Sequence, residues 1–315
     1  MNSILYRAKK INNNVCFGSK ATSKIVYQYA FPLVWIFLNY VKTRTAPIYC
    51  FPFATLITVI MGSQGNIDPY IVVSIVTGSY WLGLATYVYN DLTDLDVDRL
   101  NKTNRPSVTG KATKNQLTVI VCVMFAIGLY LTASINFYTF LVSTIFTALG
   151  IFYSHPKFNL KDKFPLKTII TATGAGLLSL LGGISVMNMS LSIVCTSLSF
   201  FMFYFVLSPL GDIGDINGDR AVGRRTFPIV LGLKQTLLLM LSVPVLIMIL
   251  AGLIYHALDI NSVGFFTIII TCIATIAAIF KLSKRLSDVN AIKSFRPKMR
   301  YLNVLMQISM LLAFL

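Results

Sequence analysis

The chain has 315 residues, of which 56% are hydrophobic and only 12% are charged, and its mean hydropathy is +0.73. A soluble domain carries about a quarter charged residues, so this composition excludes a soluble globular protein and indicates a polytopic membrane protein. The net charge of +16 comes from 27 Lys and Arg residues against 11 acidic residues, every one of which is Asp.

Short polar breaks divide the chain into apolar runs of about 20 residues, the length that a helix needs to cross a membrane. This pattern predicts an all-α fold in which nine transmembrane helices surround a central cavity. We expect residues 1–45 to form a cytoplasmic segment with an interfacial helix at 31–41, and residues 46–315 to form a single transmembrane domain. The predicted spans are 46–62, 69–89, 116–133, 136–153, 166–187, 190–210, 235–256, 262–280 and 301–315.

The basic residues alternate from one side of these spans to the other. Lys and Arg are confined to the N-terminal segment and to the loops after the second, fourth, sixth and eighth spans. Short loops rich in Lys and Arg stay in the cytoplasm, so the N-terminus and all the basic loops are predicted to be cytoplasmic. Membrane topology thus accounts for the excess of Lys and Arg, and we predict no nucleic-acid partner.

The first of two Asp clusters lies in YNDLTDLDVDR, residues 89–99, at the cytoplasmic end of the second predicted span. Asp91, Asp94 and Asp98 are spaced i, i+3 and i+7, which places them within about 60° of one another on one helical face. Asp96 falls on the opposite face, where we expect it to be solvated.

The second cluster repeats this spacing in Asp212, Asp215 and Asp219, at the end of the sixth predicted span and on the same side of the membrane. Neighbouring carboxylates repel one another, and ionisable groups at membrane depth are costly. Divalent cations relieve both problems, and an all-oxygen ligand set suits Mg²⁺, which binds a few carboxylates together with substrate phosphate oxygens. Two opposed Asp faces therefore indicate a Mg²⁺-bridged diphosphate.

The cytoplasmic loops supply cations for such a diphosphate. Membrane topology alone explains any single one of them, so a ligand role depends on the Asp clusters that lie beside them. The candidates are Lys102, Arg105 and Lys111 after the first cluster, Arg220, Arg224 and Arg225 after the second, and Tyr153, Lys157, Lys161, Lys163 and Lys167 between the fourth and fifth spans.

These motifs resemble those of the UbiA superfamily of intramembrane prenyltransferases. NDLTDLDVD (90–98) fits the first Asp motif of that family, and NRPSVTG (104–110) fits the element that follows it. DIGDINGD (212–219) fits the second Asp motif, GRRTFPIVLG (223–232) resembles its continuation, and YSHPKFNLK (153–161) resembles the middle loop. The resemblance covers nearly the whole membrane region, implies nine transmembrane helices, and makes the predicted domain a prenyltransferase domain.

The resemblance also implies a reaction: Mg²⁺-dependent transfer of an isoprenoid group from a polyprenyl diphosphate to a lipophilic or aromatic acceptor, with release of diphosphate. It implies two Mg²⁺ ions, one held by Asp91, Asp94 and Asp98 with help from Asn90, the other by Asp215 and Asp219. It implies that the diphosphate is bound by Arg44, Arg105, Tyr153, Lys161 and Arg224. Asp91, Asp94 and Asp215 then act in catalysis, and Asp212 is implied to assist the acceptor or its deprotonation.

Two other functions fit the same Asp clusters. A terpene cyclase of the same family shares the ionisation machinery and folds the carbocation onto its own chain, so the motifs alone do not separate it from a transferase. A divalent-cation transporter is disfavoured because transporters place ionisable groups near the bilayer midplane, whereas these clusters lie at the cytoplasmic ends of the predicted spans.

Overall fold

The computed structural model describes residues 33–44, 48–100, 105–110, 112–286 and 288–315. Every regular element in these ranges is helical, which confirms the all-α prediction. The helices are α1 (33–44), α2 (Cys50–Ser63), α3 (Pro69–Thr93), α4 (Leu95–Leu100), α5 (Lys114–Ala133), α6 (Phe137–Ser154), α7 (Leu166–Ser185), α8 (Leu191–Ala221), α9 (Phe227–Val230), α10 (Leu233–Ile254), α11 (Ser262–Ser283) and α12 (Val289–Phe314), with a 3₁₀ turn at Leu160–Asp162.

Seven of the described helices are long and apolar enough to cross a membrane, namely α3, α5, α6, α7, α8, α10 and α11. The first and ninth predicted spans correspond to α2, which has only 14 residues, and to α12, whose first half carries four basic residues. The count of nine spans therefore stays a prediction. The predicted interfacial helix at 31–41 overlaps α1, while residues 1–32 of the N-terminal segment lie outside the described ranges.

Helix α8 belongs to both hydrophobic cores. On one side, Phe200 and Tyr204 pack into a core that α8 shares with α1 to α3 and α5 to α7. On the other side, Phe203 and Val206 pack into a core shared with α10 to α12. Helix α2 also packs against α12, so the two halves meet on both sides of α8.

The ends of α3 and α8 place the two Asp clusters. Helix α3 begins at Pro69, where Asp68 caps the helix by accepting a hydrogen bond from the N–H of Tyr70, and it ends at Thr93. Helix α8 has 31 residues and continues through the whole second cluster to Ala221. Both clusters therefore begin inside long helices that are anchored in the apolar core.

Helices α2 and α7 pack with almost no space between their backbones, and Gly182 makes this possible. A Cβ on Gly182 would lie 2.3 Å from the carbonyl oxygen of Thr55 and 2.5 Å from the nitrogen of Val59. Interhelical hydrogen bonds join the same surfaces, because the hydroxyl of Thr55 donates to the carbonyl oxygen of Leu178 at 2.7 Å. Small residues permit such close approach of membrane helices.

Candidate active site

Asp91, in the last turn of α3, is fully buried and is bound by two arginines. Nε of Arg44 donates to Oδ2 of Asp91 at 2.9 Å, and Nη1 of Arg105 donates to Oδ1 at 2.8 Å. Arg105 also forms an ion pair with Asp98. Burial raises the pKa of Asp98 to about 6, although the Arg105 guanidinium acts in the opposite direction. Asp91 and Asp98 are thus held together by one shared cation.

Asp94 faces a different group of cations, because the helix is interrupted there. Asp94 is the C-cap of α3, and α4 starts afresh at Leu95. The helix that the spacing of Asp91, Asp94 and Asp98 implies is therefore interrupted at Asp94, although all three carboxylates are buried. Asp96 is exposed at the surface, as expected of a solvated residue.

The partners of Asp94 are Lys161 and Arg224, whose Nζ and Nη2 lie 2.7 and 2.9 Å from its Oδ1. Burial alone would raise the pKa of Asp94, but these two cations hold it below its ordinary value. Burial lowers the pKa of Lys161, and Asp94 offsets part of that effect. Lys161 also donates to the hydroxyl of Thr93 at 2.9 Å.

The second cluster lies on the continuous helix α8, as its spacing predicts. Lys167, from the start of α7, lies between two of its members, 2.5 Å from Oδ1 of Asp212 and 3.5 Å from Oδ2 of Asp219. Oδ2 of Asp212 is buried and has no hydrogen-bond partner among the described residues. One carboxylate oxygen of this cluster therefore remains available.

Asp215 is bound by Arg296, a residue of α12 that the sequence analysis did not single out. Nη2 of Arg296 lies 2.9 Å from Oδ2 of Asp215 and donates to the carbonyl oxygen of Gly211 at 2.7 Å. A Cβ on Gly214 would lie 2.4 Å from the same Nη2, so the glycine makes room for the guanidinium. The basic run before the ninth predicted span was the available signal, and it was assigned to topology.

Arg224 brings the two clusters together. Its Nη2 binds Asp94 of the first cluster at 2.9 Å, and its Nη1 binds Asp219 of the second at 3.2 Å. Its Nε binds Oδ1 of Asp162, in the 3₁₀ turn of the middle loop, at 2.5 Å. Three separate parts of the chain therefore meet on one guanidinium, which is only 6% exposed. These carboxylates hold the pKa of Arg224 above its ordinary value, although burial acts to lower it.

Two cavities adjoin this cluster. An apolar chamber of about 140 Å³ lies between α3, α6 and α7, with Asn90 and Tyr153 in its wall. The side-chain amide of Asn90 donates to the hydroxyl of Ser154 at 3.2 Å. A charged cavity of about 250 Å³ contains Asp212 and Asp215. The two cavities are neighbours, because both are lined by Tyr87, Thr171 and Tyr204.

The donor set of the clusters consists of carboxylate oxygens, which are ligands that hard cations prefer. In the part of the chain that the structure describes, no group of three His, Cys, Asp or Glu side chains is arranged to hold a metal ion. The carboxylates are instead neutralised by Arg44, Arg105, Lys161, Lys167, Arg224 and Arg296. Of the other predicted loop residues, Lys102, Asn104 and Lys111 lie outside the described ranges.

The long apolar helices and the two carboxylate motifs beside an apolar chamber agree with the family to which the sequence is similar. The profile of the UbiA prenyltransferase family matches residues 50–305, and the chain belongs to that family. It is therefore a multi-pass membrane enzyme of the prenyltransferase class.

Individual relatives agree with this assignment. The digeranylgeranylglyceryl phosphate synthase of Methanosphaera stadtmanae is 30% identical over 266 residues, which cover 83% of this chain and 90% of the relative. A chain solved in work on digeranylgeranylglyceryl phosphate synthase in membranes superposes with a TM-score of 0.68 at 21% identity, covering 89% of this chain and 98% of that one. A UbiA homologue from Archaeoglobus fulgidus, bound to DMAPP and Mg²⁺, gives a TM-score of 0.63 at 19% identity, covering 84% and 99%. At these identities the two structures establish the shared fold.

Proposed function

We propose that the protein transfers the isoprenoid group of a prenyl diphosphate to a lipophilic acceptor in a Mg²⁺-dependent reaction that releases diphosphate. The observation that carries this proposal is the network on Arg224, which joins both carboxylate motifs to the middle loop. The Archaeoglobus fulgidus relative, solved with DMAPP and Mg²⁺ and also with GPP and Mg²⁺, supports the class of donor.

The residues fit Mg²⁺. Buried carboxylates with hard oxygen donors are present on both motifs, and Mg²⁺ is usually held by one or two carboxylates while phosphate oxygens complete its shell. When bound, the metal neutralises negative charge on the departing diphosphate. We assign one ion to Asp91, Asp94 and Asp98 with Asn90, and a second to Asp215 and Asp219.

The cations of the site bind the leaving group. We infer that Lys161, Arg105 and Arg224 exchange carboxylate partners for diphosphate oxygens and donate charge-assisted hydrogen bonds to them. Tyr153 in the chamber wall and Arg44 in the wall of the charged cavity complete this set. As the allylic C–O bond breaks, its electron pair leaves with the diphosphate, and these donors stabilise the charge that develops.

The chamber protects the carbocation. Its walls are largely apolar, so water is kept from capturing the cation, and the rings of Phe51, Tyr87 and Tyr204 offer π faces that stabilise positive charge. The acceptor atom then bonds to the allylic carbon and loses its proton. We place Asp212 on this side of the reaction, since its Oδ2 has no partner among the described residues and the residue lines the charged cavity.

The test uses the full chain in lipid nanodiscs with geranylgeranyl diphosphate, Mg²⁺ and geranylgeranylglyceryl phosphate, the acceptor that the name of the Methanosphaera relative implies for that enzyme. We expect a prenylated lipid and free diphosphate, and no turnover once EDTA removes the metal. Asp94→Asn and Asp219→Asn should each lower kcat by about 100-fold or more, because they weaken binding of the metal and its charge stabilisation.

Asp96→Asn is the matched control, because Asp96 belongs to the same motif but is exposed. It should retain wild-type turnover. Full activity in Asp94→Asn would refute the assigned site. A cyclic hydrocarbon formed at the same rate without any acceptor would instead identify a cyclase.

A further inference from the structure

The charged cavity contains one cation that has no carboxylate partner among the described residues. It is lined by four basic residues: Arg44, Lys167, Arg296 and Arg300. The first three are paired with Asp91, Asp212 and Asp215 respectively. Among the described residues, Arg300 has no carboxylate within ion-pair distance and donates no side-chain hydrogen bond, although its side chain is half-buried.

A second unsatisfied donor lies one turn away on the same helix. Nη2 of Arg296 is engaged by Asp215 and Gly211, but its Nε is buried and has no hydrogen-bond partner among the described residues. Residues four apart on a helix present their side chains to the same side, and both arginines line the same cavity. A buried charged donor without a hydrogen-bond partner is costly. Arg296 and Arg300 are therefore suited to bind an anion.

Membrane topology alone does not explain this arrangement. A basic residue at the cytoplasmic end of a span favours the correct orientation wherever on the helix surface it lies, and Lys298 already serves that purpose. Lys298 is exposed and its ammonium lies over the ring of Phe295, 5.2 Å from the centroid. Arg300 instead lines a cavity together with Tyr87 and Tyr204, two residues that also line the apolar chamber.

We propose that Arg300 and Arg296 form an anion-binding subsite that holds a phosphate monoester on the acceptor lipid, in the cavity next to the site of the donor diphosphate. The proposal rests on the proposed function and names the class of acceptor. A phosphate monoester presents three oxygens and close to two negative charges near neutral pH, which matches two guanidinium donors one helical turn apart.

The position of the subsite suits an acceptor. Arg300 and Arg296 line the cavity that also holds Asp212, whereas Lys161, Arg105 and Arg224 surround Asp94, Asp98 and Asp219. An acidic head group bound at α12 would leave the rest of the acceptor free to extend toward the apolar chamber, past Tyr87 and Tyr204. The nucleophilic atom would then enter the reaction beside Asp212.

The test measures binding of two matched lipids and one donor analogue to the full chain in nanodiscs of neutral lipid. The lipids are geranylgeranylglyceryl phosphate and its dephosphorylated alcohol, and the donor analogue is geranylgeranyl thiolodiphosphate with Mg²⁺. Wild-type protein should bind the phosphate lipid at least about 10-fold more tightly than the alcohol, because hydrogen bonds to charged groups contribute that much or more.

Arg300→Gln should abolish this preference while donor-analogue affinity stays within about two-fold, which also shows that the variant is folded. Lys298→Gln removes the same charge two residues away and should change neither affinity. In turnover, Arg300→Gln should raise KM for the phosphate lipid about 10-fold or more with little change in kcat, since the contact is made equally in the ground and transition states.

The possible failures are distinguishable. If Arg300→Gln kept the preference for the phosphate lipid, the subsite would be refuted. An equal loss of donor-analogue binding would also refute it, because the arginine would then belong to the donor site. Wild-type protein that binds the donor analogue but does not prefer the phosphate lipid would refute the subsite and leave the proposed function standing. Wild-type protein that prefers the phosphate lipid but does not bind the donor analogue would refute the proposed function and leave the anion subsite standing.

Discussion

Replacing Gly182 with alanine tests the packing that supports the chamber. The added methyl would lie 2.3 Å from the carbonyl oxygen of Thr55 and 2.5 Å from the nitrogen of Val59, both backbone atoms of α2 that cannot rotate away. Ordinary contact begins at 3.4 Å, so α2 and α7 must separate locally by about 1 Å. The hydrogen bond from Thr55 to Leu178, now 2.7 Å, would then exceed its distance limit.

The expected loss follows from these two effects. Overpacking costs about 1–3 kcal/mol, and the interhelical hydrogen bonds of Thr55 and Thr58 contribute about 0.6 kcal/mol each in a membrane. We therefore expect Gly182→Ala to lower the free energy of unfolding by about 2–4 kcal/mol. The helix propensity of alanine would return up to about 1 kcal/mol of this.

The measurement is reversible unfolding in mixed micelles of increasing SDS content, followed by circular dichroism. Gly252→Ala is the matched control, because nothing lies within 4 Å of a Cβ added at that helical position. It should leave stability unchanged or raise it by up to about 1 kcal/mol. If Gly182→Ala behaved like this control, the close approach of α2 and α7 would not be a real constraint.

Two further predictions concern the site itself. Arg224→Met should lower the free energy of unfolding by about 3 kcal/mol or more, because three carboxylates lose a shared buried partner. In the same SDS titration, the control variant Arg225→Met should change this free energy little, because Arg225 is exposed. Equal effects of the two variants would contradict the network on Arg224. Gly174→Leu adds a side chain to the chamber wall and should reduce kcat/KM for geranylgeranyl diphosphate about 10-fold more than for dimethylallyl diphosphate. Equal loss for both donors would show that the chamber does not hold the isoprenoid tail.

The length of the apolar runs was sufficient to predict most of the helices, because a helix that crosses a membrane is apolar on its lipid-facing and core-facing sides alike. The ends were predicted less well. The second span was predicted to stop at residue 89 and the sixth at 210, whereas α3 continues to Thr93 and α8 to Ala221. Both predictions stopped at the first polar residues, but those residues remain helical because ion pairs with other parts of the chain satisfy their charges.

The candidate site was only partly predictable for a related reason. The spacing of the first motif separated Asp96 from the other three carboxylates. The structure agrees, since Asp96 is exposed and the other three are buried. The break of the helix at Asp94, and the division of the first cluster between Arg105 and Arg224, depend on contacts outside the motif. Arg296 lies 81 positions beyond Asp215 in the sequence, so no local pattern could assign it.

The pairing of six motif carboxylates with six cations means that the protein carries its own counter-ions into the membrane. In the proposed function, binding of a metal–diphosphate complex would resemble ion exchange: the carboxylates would bind the incoming cation, and the arginines and lysines would bind the incoming anion. Each charge changes partner, and little net charge has to be transferred from water into the low-dielectric interior. The charges of the site are then already neutralised before the substrate binds. The electrostatic cost of binding depends on how well the charges of the substrate replace those of the ion pairs that it breaks.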